Sequence, residues 1–350
     1  MIKRILSLFL IVLLLISLPS CGLPHDRYTS TSFLYFDTVI ELVGYTEDRG
    51  RFNDVADQLW ALLGDYHNLF DIYNEYPDTV NLATVNKSVG LSERSFTVHK
   101  DIYELLLFGK EMHDLTDGKL NPAMGSVLAL WRDLGASDTP RLPEFSDLAD
   151  AFAHTSIEQF FLSESEDGYR LTVIDPYLTF DVSAIAKGYA AGKAIELLSS
   201  ICSEDEYFLL NLGGMVCPIT PKPGGGSWSA GIEYPTADKR EDGYIRTVKL
   251  SKGALVTTAS HLRYITVDNK NYGHVIDPYT LFPPEFFASV TVYCIDPALG
   301  DALSTALFCM NEADGRELIG EMSDKFGKIE AMWVYPDLSV STTDGFKKLS

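Results

Sequence analysis

The sequence predicts an α+β fold, with mixed, largely antiparallel sheets packed against helices. Three observations carry that expectation. Segments with helical periodicity gather early in the chain and strand-like segments late, with few clean βαβ alternations. From Trp228 onward, short runs with strand character lie between Gly, Pro, Asn and Asp turn residues. Hydrophobic residues are 46% of the 350 and charged residues 22%. That balance supplies a sizeable core and excludes a disordered chain, a collagen and a polytopic membrane protein. At about 150 residues per domain, the length fits two domains or one large two-lobed domain. Lys and Arg number 28 against 49 Asp and Glu, for a net charge of −21. With no basic cluster, nucleic acid is excluded as a partner, and the acidity serves solubility.

The chain opens on an address. Lys3 and Arg4 precede an apolar run from Ile5 to Leu18. That run falls short of the ~20 residues a membrane span needs and matches a signal-peptide core. It ends in Leu18-Pro19-Ser20-Cys21-Gly22, which resembles a bacterial lipobox with Cys21 as the lipidated residue. The alternative is an ordinary secretory signal with a chance Cys. The expected organisation is a signal peptide over 1–20, a tether over 21–32 and one folded domain over 33–350. The expected location is extracytoplasmic, lipid-anchored to a bacterial membrane.

His25 to Thr31 reads as part of the tether, and the alternation of Val39, Glu41 and Val43 makes Phe33 to Tyr45 a strand. Val55, Leu59, Leu62, Leu63 and Leu69 repeat at helical spacing and predict a helix from Phe52 to Phe70. Lys100 to His113 is a second amphipathic helix, stopped by Asp117-Gly118, and Met124 to Trp131 a short third. Phe145 to Phe160 reads as a fourth. Tyr169–Val173 and Leu178–Asp181 pair as a hairpin about Asp175-Pro176.

Ser183 to Ser200 is Gly/Ala-rich and helical, and Tyr207–Leu212 is a buried strand ending in Gly213-Gly214. Pro221 to Ser227 is a flexible loop. Strands follow at Trp228–Tyr234, Tyr244–Leu250, Ala254–Thr257, Leu262–Val267 and Phe287–Cys294. Helices at Leu299–Met310 and Asp314–Met322 precede a closing strand at Ile329–Tyr335. Cys202, Cys217, Cys294 and Cys309 form no CxxC or Cys/His ligand spacing, so zinc and thiol-redox chemistry are not expected, and Cys294 and Cys309 read as small core residues.

The phosphate-loop, dinucleotide-fold, zinc-protease and nucleophile-elbow signatures are missing. Four short segments remain. In Asp181-Val-Ser-Ala-Ile-Ala-Lys187, a strand end leads into a helix that Ser183 can cap. Free N–H groups there suit a phosphate, and Lys187 lies one turn in. Taken alone, the segment favours the plainer alternative, a capped helix with a surface lysine. Asn211-Leu-Gly213-Gly214 allows either close approach of a ligand or a tight turn. His274-Val-Ile-Asp277-Pro278 offers a general base in His274, or a structural histidine. In Asp301-Ala-Leu-Ser304-Thr305, Asp301 and Thr305 share a helix face. Their oxygens suit a hard cation such as Mg²⁺, or Asp301 is simply a helix cap.

Taken in order, these segments resemble the ApbE family of flavin transferases from about Phe36 to the end. The early Met-Gly-Thr of that family stands here as Phe36-Asp37-Thr38. Tyr73 to Asn86 and Gly118-Lys-Leu-Asn121-Pro122-Ala123, with Leu130-Trp131 after it, are similar to further family segments. The AIAKGYA helix, NLGG, Trp228-x-x-Gly231-Ile232, HVIDP and DALSTALF complete the resemblance. The family's Thr-Ser-Gly-Asp reads Thr257-Thr258-Ala259-Ser260, and the Gly usual after DPxT is Leu281.

The resemblance implies an ApbE-like two-lobed domain and an Mg²⁺-dependent FAD:protein FMN transferase. FMN would pass from FAD to a Thr or Ser hydroxyl of an acceptor protein as a phosphoester, releasing AMP. It implies a metal held by Asp301, Thr305 and a backbone carbonyl near Ala184, with His274 as base. Asp181 and Lys187 would contact the FAD, and Phe36, Tyr73, Lys119, Leu120, Asn121 and Val275 would line its site. The acceptor motif is missing from this chain, so the partner is a separate extracytoplasmic protein, such as a membrane redox-complex subunit. Two other readings share the site: a pyrophosphatase splitting FAD to FMN and AMP, and a lipoprotein that only binds flavin.

Overall fold

The computed structural model describes residues 25–91, 94–137, 139–236, 243–261 and 263–349. The leader and Cys21 lie outside the described residues. Strands β1 (Asp26–Ser32) and β2 (Ile40–Thr46) lead into α1 (Arg49–Phe70), whose first turn is capped by the Asp48 side chain on Arg51 N–H at 2.8 Å. Next come α2 (Leu82–Lys87), β3 (Ser95–Val98), α3 (Lys100–Leu115), α4 (Gly125–Gly135) and α5 (Phe145–Phe152). Strands β4 (Phe160–Ser165) and β5 (Gly168–Val173) precede α6 (Ala186–Ile201). The strands β6 (Tyr207–Leu212), β7 (Met215–Pro218), β8 (Trp228–Glu233), β9 (Tyr244–Leu250), β10 (Ala254–Ala259), β11 (Tyr264–Val267), β12 (Lys270–Gly273) and β13 (Ser289–Cys294) follow. Two helices, α7 (Pro297–Phe308) and α8 (Glu312–Phe326), and strands β14 (Glu330–Val334) and β15 (Val340–Thr342) close the chain.

The fold class is as expected, α+β with antiparallel sheets. The large sheet has the order β1-β2-β6-β7-β10-β13-β14-β15, and every neighbouring pair is antiparallel. A smaller sheet has the order β3-β5-β4, and β8-β9 and β11-β12 are separate hairpins. One core joins Leu59 and Leu63 of α1, Leu105 of α3, Ala190 and Ala194 of α6 and Leu303 and Leu307 of α7 to Leu210, Val256 and Val292 of the sheet. The Gly/Ala faces of α6 and α7 let these helices pack closely. At Gly188 an added Cβ would lie 2.6 Å from the Asp301 Cβ and from the Pro297 carbonyl oxygen.

Several local expectations are corrected. The segment His25 to Thr31 is no tether: Asp26–Ser32 is an edge strand in register from Asp26↔Thr46 to Ser32↔Ile40. Its few apolar residues suffice because only one face meets the core, where Tyr28 packs on Phe52. The strand expected from Phe33 starts only at Ile40, since Phe36 and Asp37 take left-handed φ values of 55° and 49°. The helix expected to reach Phe160 stops at Phe152, and Phe160 opens a strand. Tyr169–Val173 pairs with β4 and β3, not with Leu178–Asp181. The latter segment is irregular. Its Phe180 and Asp181 N–H groups donate to Asn86 Oδ1 (2.8 Å) and the Pro122 carbonyl (2.9 Å). Buried Arg94 donates to the carbonyls of Asp175, Leu178 and Val85, each at 2.9 Å, so a side chain does the work expected of a strand ladder.

Candidate active site

A single cavity of about 790 Å³ opens between the irregular segment, the first turn of α6, α7, the end of β10 and the β11-β12 hairpin. It is lined by Phe36, Tyr73, Lys119, Leu120, Asn121, Asp181, Ala184, Lys187, His274, Val275, Asp301 and Thr305. Residues spread over 270 positions of sequence thus meet on one surface, and each proposed ligand or base in the described chain is among them.

Asp301 lies on α7, 4% exposed. The cap that starts α7 is Asp296, which accepts from Ala298 N–H at 2.8 Å, so Asp301 is not its helix cap. Its Oδ2 accepts the Gly188 N–H at 2.8 Å, and Lys187 Nζ stands 3.9 Å from Oδ1. Burial pushes the Asp301 carboxyl above its ordinary range, against the pull of Lys187 and the Gly188 N–H. One N–H and one distant ammonium under-compensate a buried carboxylate, which is the situation a bound cation relieves. Thr305 follows one turn later. The Thr258 hydroxyl reaches Ser304 Oγ at 2.8 Å and Thr305 Oγ1 at 3.4 Å. Among the described residues no three His, Cys, Asp or Glu side chains cluster as a metal site. The oxygens that meet there are the Asp301 carboxylate and the hydroxyls of Thr258, Ser304 and Thr305. That set fits a hard cation that keeps several waters, such as Mg²⁺.

The start of α6 differs from expectation. Ser183 caps nothing; instead Asp181 Oδ1 accepts the Ser183 N–H at 3.0 Å, and α6 begins at Ala186 without a side-chain cap. The Gly188 N–H is taken by Asp301, so the helix end serves the carboxylate directly. Lys187 Nζ donates to the Ser183 carbonyl at 3.1 Å and remains partly exposed in the cavity.

His274 sits just after β12. A carbonyl can only accept, so the 3.1 Å contact of Nδ1 with the Arg263 oxygen places the neutral ring's proton on Nδ1. Nε2 then keeps a free lone pair. Desolvation pushes the His274 pKa below its ordinary value. The Arg263 carbonyl bond opposes this, the charges of Arg263 and Lys187 reinforce it, and Asp181 opposes it. The ring is thereby kept in its proton-accepting form.

Other expected contacts carry different duties. Lys119 pairs with buried Asp277 at 2.9 Å and lies 4.3 Å over the Tyr279 ring, so its charge is already met. Asn121 braces its loop, donating to the Thr155 carbonyl and accepting from Ala123 N–H. Leu120 is buried, and its N–H donates to Thr116 Oγ1 at 3.0 Å. Tyr73 accepts at its hydroxyl from Arg132 (3.1 Å) and Phe36 donates its N–H to His67 Nδ1 (3.3 Å). Of the two glycines after β6, Gly213 holds φ 60° against Thr38, and Gly214 completes the turn into β7.

Sequence reading missed Arg263, Thr258 and the hairpin pair Ile265 and Tyr272, all on the cavity wall. Tyr272 packs 6.1 Å from Trp131, and Ile265 fills the space at Gly135, where an added Cβ would be 2.1 Å from its Cγ2. Thr258 stands where the family's Thr-Ser-Gly-Asp has diverged and the other three sit in no motif; the Asp268-Asn269 turn with φ 51° and 61° was the one local sign of the hairpin.

The cavity gathers a buried carboxylate, hydroxyls and an imidazole with a free nitrogen, the chemistry of an enzyme site. The chain belongs to the ApbE family, whose model matches residues 36–333. Among its relatives is the FAD:protein FMN transferase of Klebsiella pneumoniae (strain 342), 26% identical over 310 residues, covering 88% of this chain and 90% of that one. The protein of the same description from Treponema pallidum (strain Nichols) is 26% identical over 280 residues, 77% of this chain and 74% of its own. The ApbE protein of Thermotoga maritima superposes with a TM-score of 0.80 at 26% identity, over 93% of this chain and 99% of that one. The flavin transferase ApbE of Vibrio cholerae shares the fold, with a TM-score of 0.76 at 21% identity over 93% and 100% of the two chains.

Proposed function

We propose that this chain is an Mg²⁺-dependent FAD:protein FMN transferase. The observation that carries the reading is one cavity lined by both the Asp301–Thr305 oxygen pair and His274 with its free Nε2. Asp301, Thr305 and a carbonyl near Ala184 would hold the cation, which offsets charge on the donor's phosphoryl oxygens. His274 Nε2 takes the proton of an acceptor Thr or Ser hydroxyl. The hydroxyl oxygen bonds to the FMN phosphorus, the bond from that phosphorus to the bridging oxygen breaks, and AMP leaves with the electron pair. Lys187, beside Asp301, adds positive charge near the leaving phosphate. Phe36, Tyr73 and Val275 supply apolar wall for the flavin.

The test is mass spectrometry of an acceptor domain co-expressed with the enzyme. The acceptor should gain FMN on a hydroxyl with stoichiometric AMP, and His274→Ala should slow single-turnover transfer by roughly 10²–10⁴-fold. FMN and AMP formed with no modified acceptor would support the pyrophosphatase reading instead. Bound FAD that stays intact would leave a flavin-binding protein.

The lipobox-like start supports an extracytoplasmic protein anchored through Cys21. Cys21→Ser should then move the protein from the membrane fraction to the soluble fraction; retention after a salt wash would remove the anchor.

A further inference from the structure

Arg263 spans two walls of the cavity. Its main-chain oxygen accepts the His274 N–H at 3.2 Å and lies 3.1 Å from His274 Nδ1. Its guanidinium Nη2 donates to the carbonyl of Asp37, on the loop between β1 and β2. That loop is held in an unfavourable shape, because Phe36 and Asp37 are both non-glycine residues at left-handed φ. Such a conformation persists only where its surroundings impose it. Here the ties are the Phe36 N–H to His67 and the Asp37 carbonyl to Arg263.

The charge of Arg263 is also unspent. Lys119 pairs with Asp277, Arg132 stands 3.4 Å from Asp133, and Lys187 faces Asp301. Among the described lysines and arginines that line the cavity, Arg263 is the one with no carboxylate within 4.0 Å, and its guanidinium meets a neutral carbonyl instead. Its remaining N–H groups are available to an anion, and a guanidinium fork matches phosphate oxygens.

We propose that Arg263 is a positioning residue for FAD. Its guanidinium clamps the Phe36–Asp37 wall onto the strand end that carries His274, so donor and base keep a fixed relation. This rests on the flavin-transferase reading, which supplies the dinucleotide as ligand.

The test compares wild type, Arg263→Ala, Arg263→Lys and the double variant Arg263→Ala/Asp37→Gly. FAD affinity is read by flavin fluorescence on folded protein, alongside a melting curve and the pH dependence of single-turnover FAD cleavage. Arg263→Ala should weaken FAD binding by about tenfold, the loss of one charge-assisted hydrogen bond. Arg263→Lys should recover part of it. Asp37→Gly should restore part of the loss in the double variant, since glycine holds the left-handed turn without a clamp.

The groups facing His274 are Arg263, Lys187 and Asp181. Removing the Arg263 charge should therefore shift the acid limb of the rate profile to higher pH. A role in stability alone would lower the melting temperature and leave affinity and limb in place, which overturns the proposal. Wild-type protein that binds no FAD would remove the transferase reading together with this one. Equal FAD affinity in wild type and Arg263→Ala would remove the clamp alone.

Discussion

Of the described non-glycine residues at left-handed φ, two bear on the site's turns. Asp37 holds φ 49° and Leu281 φ 62°. Both stand where the sequence resemblance led one to expect glycine, so the chain kept the turn and changed the residue. Leu281 is compensated: it is buried beside Trp131, and its carbonyl accepts the Trp131 indole N–H at 2.9 Å. Asp37 has no such packing. Asp37→Gly should therefore stabilise the fold by roughly 0.5–1 kcal/mol, the relief of left-handed strain less the extra freedom of an unfolded glycine. A raised denaturation midpoint with unchanged slope is the expected reading, and a lowered one would mean the Asp37 side chain contributes to folding. His274 obeys a similarly local rule. The proposed transfer needs the neutral ring, and desolvation lowers its pKa from 6.5. The acid limb of the rate profile should therefore be centred below 6.5. A limb centred above 6.5 would contradict this.

The decisive element contact is the crossing of α6 and α7. Gly188 lets the α7 backbone approach until its own N–H meets the Asp301 carboxylate. Gly188→Ala would put a methyl 2.6 Å from the Pro297 carbonyl oxygen, where neither helix can yield without moving. The expected cost is about 1–3 kcal/mol of stability. Mg²⁺ affinity should fall as well, because Asp301 would lose its alignment with Thr305. Chemical denaturation and metal titration read the two effects separately, and normal metal binding in a destabilised variant would disconnect the crossing from the site. The β11-β12 hairpin is the second such element. Ile265 and Tyr272 seat it on α4, and its two ends are Arg263 and His274.

At the scale of the molecule, the thiols report how closed the core is. Cys217, Cys294 and Cys309 are buried, Cys202 is partly so, and all four are free. Burial pushes Cys202 and Cys217 up to about 12, and Cys294 and Cys309 are raised by the same cause. In the native protein Cys217, Cys294 and Cys309 should resist a thiol reagent at pH 8, and denaturation should release them together with Cys202. A reductant should leave the melting temperature unchanged; a drop would reveal a disulfide.

The helices were legible in the sequence because an apolar face repeats every turn. Leu59 and Leu63 of α1, or Leu303 and Leu307 of α7, announce their own burial. So were the central strands β6 and β13, through the apolar Phe208 to Leu210 of the one and the β-branched Val290, Thr291 and Val292 of the other. The short motifs also identified residues around the cavity, because carboxylate, hydroxyl and imidazole groups have chemical identities that spacing preserves. What the sequence could not show depended on partners far along the chain. The edge strand β1 is polar and forms because β2 offers a free edge. Leu178–Asp181 reads as a strand, yet Arg94, Asn86 and Pro122 satisfy its backbone first. Ser183 is a plausible cap until Asp181 takes its N–H. Arg263 stands in no motif, and its clamp on Asp37 spans 226 positions. Local periodicity and residue chemistry thus determined the class of fold, the family and the residues that gather around the cavity. Only the tertiary structure decided which hydrogen-bonding groups were spent on one another and which were left facing the cavity, since a buried polar group goes to the nearest partner in space, whatever its distance in sequence.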